Sequence, residues 1–416
     1  MFDFDPKIFE LSSKALENVK DEIDSTEKII EFNQQKMLAA FIENNVSEAM
    51  FSGTTGYGYS DRGREVIDKV FAKAVGAQDA IVRHNFTCGT HTLSVALFGV
   101  LRPGDVMLCV TGTPYDTIQP VIGMNGKNGT GSLADFGIIY KQVDLKEDGR
   151  LDFDAIEKAV DESVSMVYIQ RSRGYNLRPS LSVDEIEKVA ALSKKKNPDV
   201  VVMVDNCYGE WVEKREPTEV GADLMAGSLI KNPGGGIART GGYIAGRRDL
   251  VEKCSYRLTT PGLGSEVGAT LGMSRELFLG IYCAPHVVGE ALKSMIFAAE
   301  LFRLLGFETT PETGETRHDI IQAIKLKNES NLIAFCRGLQ KCSPIDAFAA
   351  PEPWDMPGYD SKVIMAAGAF TLGSSIELSA DAPLREPFAV WMQGGLNFHS
   401  SKLAIMSAAN EVLKIN

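Results

Sequence analysis

Val201-Val202-Met203-Val204 is an uninterrupted apolar run, rich in β-branched side chains, that ends at Asp205. A strand of this kind has no face to give to water, so it belongs inside a parallel sheet covered by helices on both sides. Val106-Met107-Leu108-Cys109-Val110, Ile138-Ile139-Tyr140 and Val164-Ser165-Met166-Val167-Tyr168-Ile169 repeat the pattern, alternating with helical stretches from about residue 63 onward. This alternation predicts βαβ units. In one helix Leu93, Ala96, Leu97, Val100 and Leu101 recur at i, i+3, i+4, i+7 and i+8, which gives a single buried face. With 416 residues the chain exceeds the roughly 250–300 at which single cores stop growing, so two domains are expected. The reading is an α/β chain with a three-layer α/β/α large domain over residues 51–290, a helical N-terminal arm over 1–50 and a smaller α+β domain over 291–416. The arm carries apolar positions at Ile29, Ile30, Phe32, Met37, Phe41 and Ile42. A long linking helix should run from Pro285 to Leu305 and close at Gly306, with later strands near Ala366–Phe370 and Ser375–Leu378.

Open α/β sheets bind ligands just beyond the carboxyl ends of their strands, and Asp205 falls there. Downstream lies Ser228-Leu229-Ile230-Lys231-Asn232-Pro233-Gly234-Gly235-Gly236. A carboxylate that keeps a pyridine nitrogen protonated and a lysine that forms a Schiff base with an aldehyde are the two requirements of pyridoxal phosphate. Glycines after Lys231 would leave room for cofactor and substrate. Taken singly, Asp205 is equally a turn former and Lys231 a surface lysine; the pairing carries the reading. Cys88-Gly89-Thr90-His91-Thr92 opens the helix described above, whose free N–H groups and positive dipole end suit a phosphate, although an ordinary helix cap would look the same. Ser228 could add a hydroxyl. Tyr115, beyond the strand ending near Val110, could stack on the pyridine or be a core tyrosine. His84 and His91 flank the phosphate loop, but Lys231 can itself move the substrate proton.

The net charge of −12 gives no support for nucleic-acid binding, and Lys194-Lys195-Lys196 reads as a solvated helix end. Seven cysteines, odd in number and without Cys-x-x-Cys spacing, argue for a reducing compartment and against structural zinc. No basic-then-apolar leader and no eighteen-residue apolar run are present, so a cytoplasmic enzyme with no membrane contact is expected. G-x-G-x-x-G, Walker, H-E-x-x-H and G-x-S-x-G patterns are absent.

Gly56-Tyr57-Gly58-Tyr59-Ser60-Asp61-Arg62, Cys88-Gly89-Thr90, Tyr115, Val204-Asp205-Asn206-Cys207-Tyr208, Ser228-Leu229-Ile230-Lys231 and Gly241-Gly242-Tyr243 occur in that order. Over residues 50–400 the chain resembles the fold-type I, aspartate aminotransferase-like pyridoxal phosphate enzymes. Within them it resembles the Cys/Met metabolism group, and most closely the bacterial branch known as aluminium resistance or methionine gamma-lyase family proteins. The resemblance implies pyridoxal 5′-phosphate on Lys231, with Asp205, Cys88, Gly89, Thr90, Tyr115 and Ser228 around it. It also implies a homotetramer of two close dimers in which Tyr59 and Arg62 reach the partner's cofactor phosphate. Two departures stand out: Ile230 occupies a position where the group usually has a hydroxyl residue, and Gln170-Arg171-Ser172-Arg173-Gly174-Tyr175 replaces its Ser-Pro-x-Asn-Pro. Arg173 or Arg171 is therefore expected to take a cofactor or substrate role. Arg385 is the first choice for gripping the substrate carboxylate, with an ion pair to adjacent Glu386 as the competing account. The implied activity is elimination of a β- or γ-substituent from a sulfur-containing amino acid, with Lys231, Asp205 and Tyr115 as the catalytic residues. Replacement or transamination, and a non-catalytic pyridoxal-binding regulator, share the same starting residues.

Overall fold

The computed structural model describes residues 2–124, 126–355 and 361–415. Strands β1 (Asp79–Arg83), β2 (Val106–Cys109), β3 (Ile139–Gln142), β4 (Val164–Gln170), β5 (Val201–Asp205), β6 (Leu224–Ser228) and β7 (Gly242–Gly246) form one sheet in the order β1-β7-β6-β5-β4-β2-β3. Only β7 runs against its neighbours β1 and β6; the other pairings are parallel. Helices α1 (Pro6–Asn18), α2 (Lys20–Glu43), α3 (Arg62–Ala74), α4 (Gly89–Val100), α5 (Ile118–Ile122), α6 (Phe153–Ala159), α7 (Val183–Lys196) and α8 (Arg248–Leu258) lie around these strands in sequence. The apolar run of β5 divides as its pleat requires. Val202 and Val204 join one core with α3 and α7, whereas Val201 and Met203 join a second with α4 and α8. Each face of the strand is thus sealed, as its composition demanded.

A long helix, α9 (Ser274–Leu304), leads to a five-stranded antiparallel sheet of β8 (Glu308–Thr310), β9 (Ile321–Lys325), β10 (Val363–Ala367), β11 (Ser379–Pro383) and β12 (Ala389–Gln393), ordered β10-β11-β12-β9-β8. α10 (Glu329–Lys341) and α11 (Phe398–Leu413) cover one face of it. The helix starts at Ser274, well before the expected Pro285, and Pro285 sits inside it. An interior proline costs about 3 kcal/mol, but Phe278, Ile281, Ala284, Val287 and Val288 are all buried around it, and that burial outweighs the local penalty. Residues 375–378 are not a strand; β11 begins at Ser379. Their backbone is committed elsewhere: Ser375 N donates to Ile230 O (3.3 Å), and Ile376 O accepts from Gly395 N (2.8 Å). In the arm, Ile8 and Ala15 of α1 join the core of the small sheet, whereas Met37 and Ala40 of α2 join that of the large one. Phe32 and Ile42 stay exposed.

Candidate active site

The carboxyl ends of β4 and β5, the loop after β6, the start of α4 and one face of the small sheet line one cavity. Asp205 closes β5 and Lys231 follows β6 by three residues, and both line it. Burial pushes the Asp205 carboxyl up, and Lys231 opposes that shift. Burial also disfavours the Lys231 ammonium, but Cys207, Tyr208, Asp205 and Tyr115 together outweigh it and hold its affinity for a proton above that of an ordinary lysine. The Lys231 Nζ lies 3.8 Å from the centroid of the Tyr208 ring, close enough for cation–π attraction.

Tyr208 closes the Val204–Tyr208 motif, but no role at the site was expected of it from the sequence. It adopts φ +71°, a left-handed conformation that costs a residue with a side chain roughly 1–3 kcal/mol. A buried network over-determines this turn. Arg171 Nη1 donates to Asn206 Oδ1 (2.8 Å) and Gly209 O (2.9 Å), Arg171 Nη2 donates to Glu213 Oε1 (2.8 Å), and Asn206 Nδ2 donates to Glu216 Oε2 (2.9 Å). Arg171 is therefore spent behind the site, fully buried, holding the turn that follows Asp205. The Tyr208 hydroxyl donates to Ser375 Oγ (3.2 Å), tying that turn to the segment that pairs with Ile230.

Gly89 and Thr90, which open α4, also line the cavity. Ser228 lies against this helix end, since a Cβ placed on Gly89 would come 3.4 Å from Ser228 Cβ. The Ser228 hydroxyl is buried yet has no hydrogen-bond partner, an arrangement proteins avoid unless something else fills the gap. An unpaired donor beside the free N–H groups of a helix start is what a phosphate needs. The Cys88 side chain is used differently from expectation: its Sγ caps α4 by accepting from His91 N (3.4 Å). Its contribution is therefore local, and the groups that face the cavity are Gly89 and Thr90. His91 Nδ1 is engaged by Thr87 N (3.1 Å), and neither His91 nor His84 lines the cavity. Tyr115 does line it, positioned by its backbone N–H donating to Gln170 Oε1 (2.7 Å).

Two arginines fall elsewhere than expected. Arg173 is buried away from the cavity, donating to Thr310 O (2.9 Å) and facing Asp319 at 3.8 Å; a guanidinium removed from water must find such partners, and these point it toward the small sheet. Arg385 is exposed in the turn between β11 and β12, while the residues of those strands that line the cavity are Asp381, in the middle of β11, and Gln393, at the end of β12 away from the turn. Tyr59 and Arg62 are also exposed and outside this chain's cavity. The glycines after Lys231 serve packing rather than open space. A Cβ on Gly235 would lie 2.5 Å from Gly280 O of α9, and one on Gly234 would lie 1.7 Å from Leu229 O. Gln170, Tyr175, Cys207, Asp381 and Gln393 also line it; the first three lie in segments that stood out in the sequence without a role for these side chains, and no short motif marks Asp381 or Gln393.

The sequence model of the methionine gamma-lyase family matches residues 8–413. The chain belongs to this family. The YnbB protein of Bacillus subtilis is 47% identical over 93% of this chain and 92% of its own length. A solved structure described as a carbon–sulfur lyase involved in aluminium resistance, from Clostridium novyi, superposes with a TM-score of 0.95 at 49% identity, covering 98% of this chain and 96% of its own. The pyridoxal 5′-phosphate-dependent protein YhfS of Escherichia coli shares only the fold, with a TM-score of 0.62 at 18% identity over 92% of this chain and 97% of its own. As a methionine gamma-lyase family member the chain is a pyridoxal 5′-phosphate-dependent lyase of fold type I, and its residues fit that cofactor. Gly89, Thr90 and the orphaned Ser228 hydroxyl suit the phosphate, Asp205 the ring nitrogen, Tyr115 the ring face and Lys231 the aldehyde.

Proposed function

We propose that this protein cleaves the carbon–sulfur bond of a sulfur-containing amino acid by β- or γ-elimination, releasing a thiol, ammonia and a 2-oxo acid. The observation that carries the reading is the convergence of Lys231 and Asp205 on one cavity that Gly89 and Thr90 of a helix start also line, with the unpartnered Ser228 hydroxyl buried against that helix start. When bound, pyridoxal 5′-phosphate supplies an electron sink for the bonds of the substrate's α-carbon. The chain supplies the rest. Asp205, buried and charge-matched to Lys231 in the protein alone, would be the counter-ion for a protonated ring nitrogen. Lys231 Nζ takes the proton from the α-carbon, and the Tyr208 ring and the carboxylate of Asp205 stabilise its charged form. Tyr115, which lines the cavity, would pack on the cofactor ring and assist the leaving sulfur.

We further read the assembly as a homotetramer of two close dimers in the cytoplasm, with residues 51–290 as the cofactor domain and 291–416 as the small domain. Tyr59 and Arg62, exposed on this chain, would complete a neighbour's phosphate site. All seven cysteines are unpaired, as suits a reducing compartment, and no helix among the described residues is long and apolar enough to cross a membrane. The experiment is to compare wild type with Lys231→Ala. The variant should lose the visible absorbance of the bound cofactor and all release of thiol and 2-oxo acid from sulfur amino acids. An unchanged spectrum and rate would end the proposal.

A further inference from the structure

The small sheet presents a carboxylate where an arginine was expected. β11 and β12 alternate Ala380, Ala382, Val390 and Met392 toward α10 and α11. Their other face looks at the large domain, where Ile321, Ala323, Ala389 and Trp391 pack with Tyr175, Leu177 and Tyr208. By the same alternation Asp381 belongs to that second, mostly apolar face: it is register-paired with Trp391, is only 7% exposed and lines the cavity. Its Oδ2 accepts from the Tyr175 hydroxyl (2.9 Å) and from Gln393 Nε2 (3.3 Å), and Gln393 is itself buried and held by Ser379 Oγ at 3.0 Å. Among the described residues its Oδ1 accepts nothing, and no lysine, arginine or histidine pairs with it. Burial pushes the Asp381 carboxyl up while Tyr175 and Gln393 oppose the shift; these two neutral donors fix its orientation at the cavity wall, and a cation placed there would relieve the cost of burying its charge.

We propose that Asp381 is a specificity-determining residue that receives an ammonium group on the leaving arm of the substrate, so that this enzyme prefers amino-acid thioethers with a cationic arm over those with a neutral one. Asp381 and Gln393 line the cavity from the small sheet and Asp205 and Lys231 from the large one, so a substrate arm directed away from Lys231 toward the small sheet would meet Asp381. It would repel a carboxylate placed there and leave a plain alkyl arm with the burial cost of Asp381 unrelieved. The inference rests on the carbon–sulfur lyase reading, and the test separates the two.

Holoenzyme is assayed for thiol and 2-oxo acid release from S-(2-aminoethyl)-L-cysteine and S-propyl-L-cysteine, and the binding of L-lysine and L-norleucine, which contain no sulfur, is measured by calorimetry. Wild type should favour the ammonium member of each pair by roughly tenfold or more, the usual worth of a charge-assisted hydrogen bond, and Asp381→Asn should erase most of that ratio. No preference in wild type overturns the inference without any need for a variant. A preference that survives in Asp381→Asn overturns it as well, and so does an equal loss on both members of each pair, which would assign Asp381 to the α-amino end they share. If lysine is favoured over norleucine in an Asp381-dependent way but neither thioether is cleaved, the binding assignment stands and the lyase reading falls.

Discussion

Ser228 offers the sharpest single-residue experiment, because its hydroxyl has no role within the protein itself. Its Oγ is buried and unbonded, so Ser228→Ala should leave the cofactor-free protein as stable as wild type or slightly more so. If Ser228 donates to the cofactor phosphate, the same change removes a charge-assisted bond and cofactor affinity should fall roughly tenfold, read by titrating pyridoxal 5′-phosphate into resolved protein and following its absorbance. A drop in thermal midpoint of the cofactor-free variant with unchanged affinity would make Ser228 a packing residue instead. At this scale the sequence was informative where chemistry is local. Asp205, Lys231, Gly89, Thr90, Tyr115 and Ser228 are named by strand ends and helix starts, and all but Ser228 line the cavity directly. It was misleading for Arg173 and Arg385, because a guanidinium's position depends on which carbonyls and carboxylates the fold brings to it.

At the scale of elements, the loop carrying Lys231 is braced by α9. Gly280 packs on the backbone of Gly234, and a Cβ there would lie 2.5 Å from Gly234 O. In an isolated helix, glycine to alanine would stabilise by close to 1 kcal/mol. Here the contact is with main chain that cannot move without moving Lys231, so Gly280→Ala should destabilise the fold by about 1–3 kcal/mol through overpacking. Denaturant midpoints check this, and weaker cofactor retention should accompany it. The beginning of α9 was also illegible in the sequence, since Pro285 signals a helix start by local preference alone. Burial of Phe278, Ile281 and Val288 around it reverses that preference.

For the whole molecule, the exposed positions of Tyr59 and Arg62 give a test of shared sites. Arg62→Ala and Lys231→Ala should each be nearly inactive, for different reasons. Refolded together in equal amounts they should regain roughly a quarter of wild-type activity if the two residues serve one site from two subunits of a two-fold dimer. No recovery, in hybrids shown by size and mass to have formed, would place Arg62 in its own chain's site or in none. The tie from Tyr208 to Ser375 and the pairing of Ser375 with Ile230 bind the small-sheet segment to the site loop, so the cavity depends on both sheets being in place.

The sequence by itself determined the parallel sheet, the phosphate-ready start of α4 and the Asp205–Lys231 pair, because each follows from a local run of residues whose burial pattern or backbone geometry admits few alternatives. Only the tertiary structure decided which side chains face the substrate. Asp381 and Gln393 alternate with alanine and methionine on strands far along the chain, and nothing in their neighbours distinguishes a cavity wall from an ordinary sheet face. Their function arises from the packing of one sheet against another, a relation that side-chain periodicity encodes only as an inside and an outside.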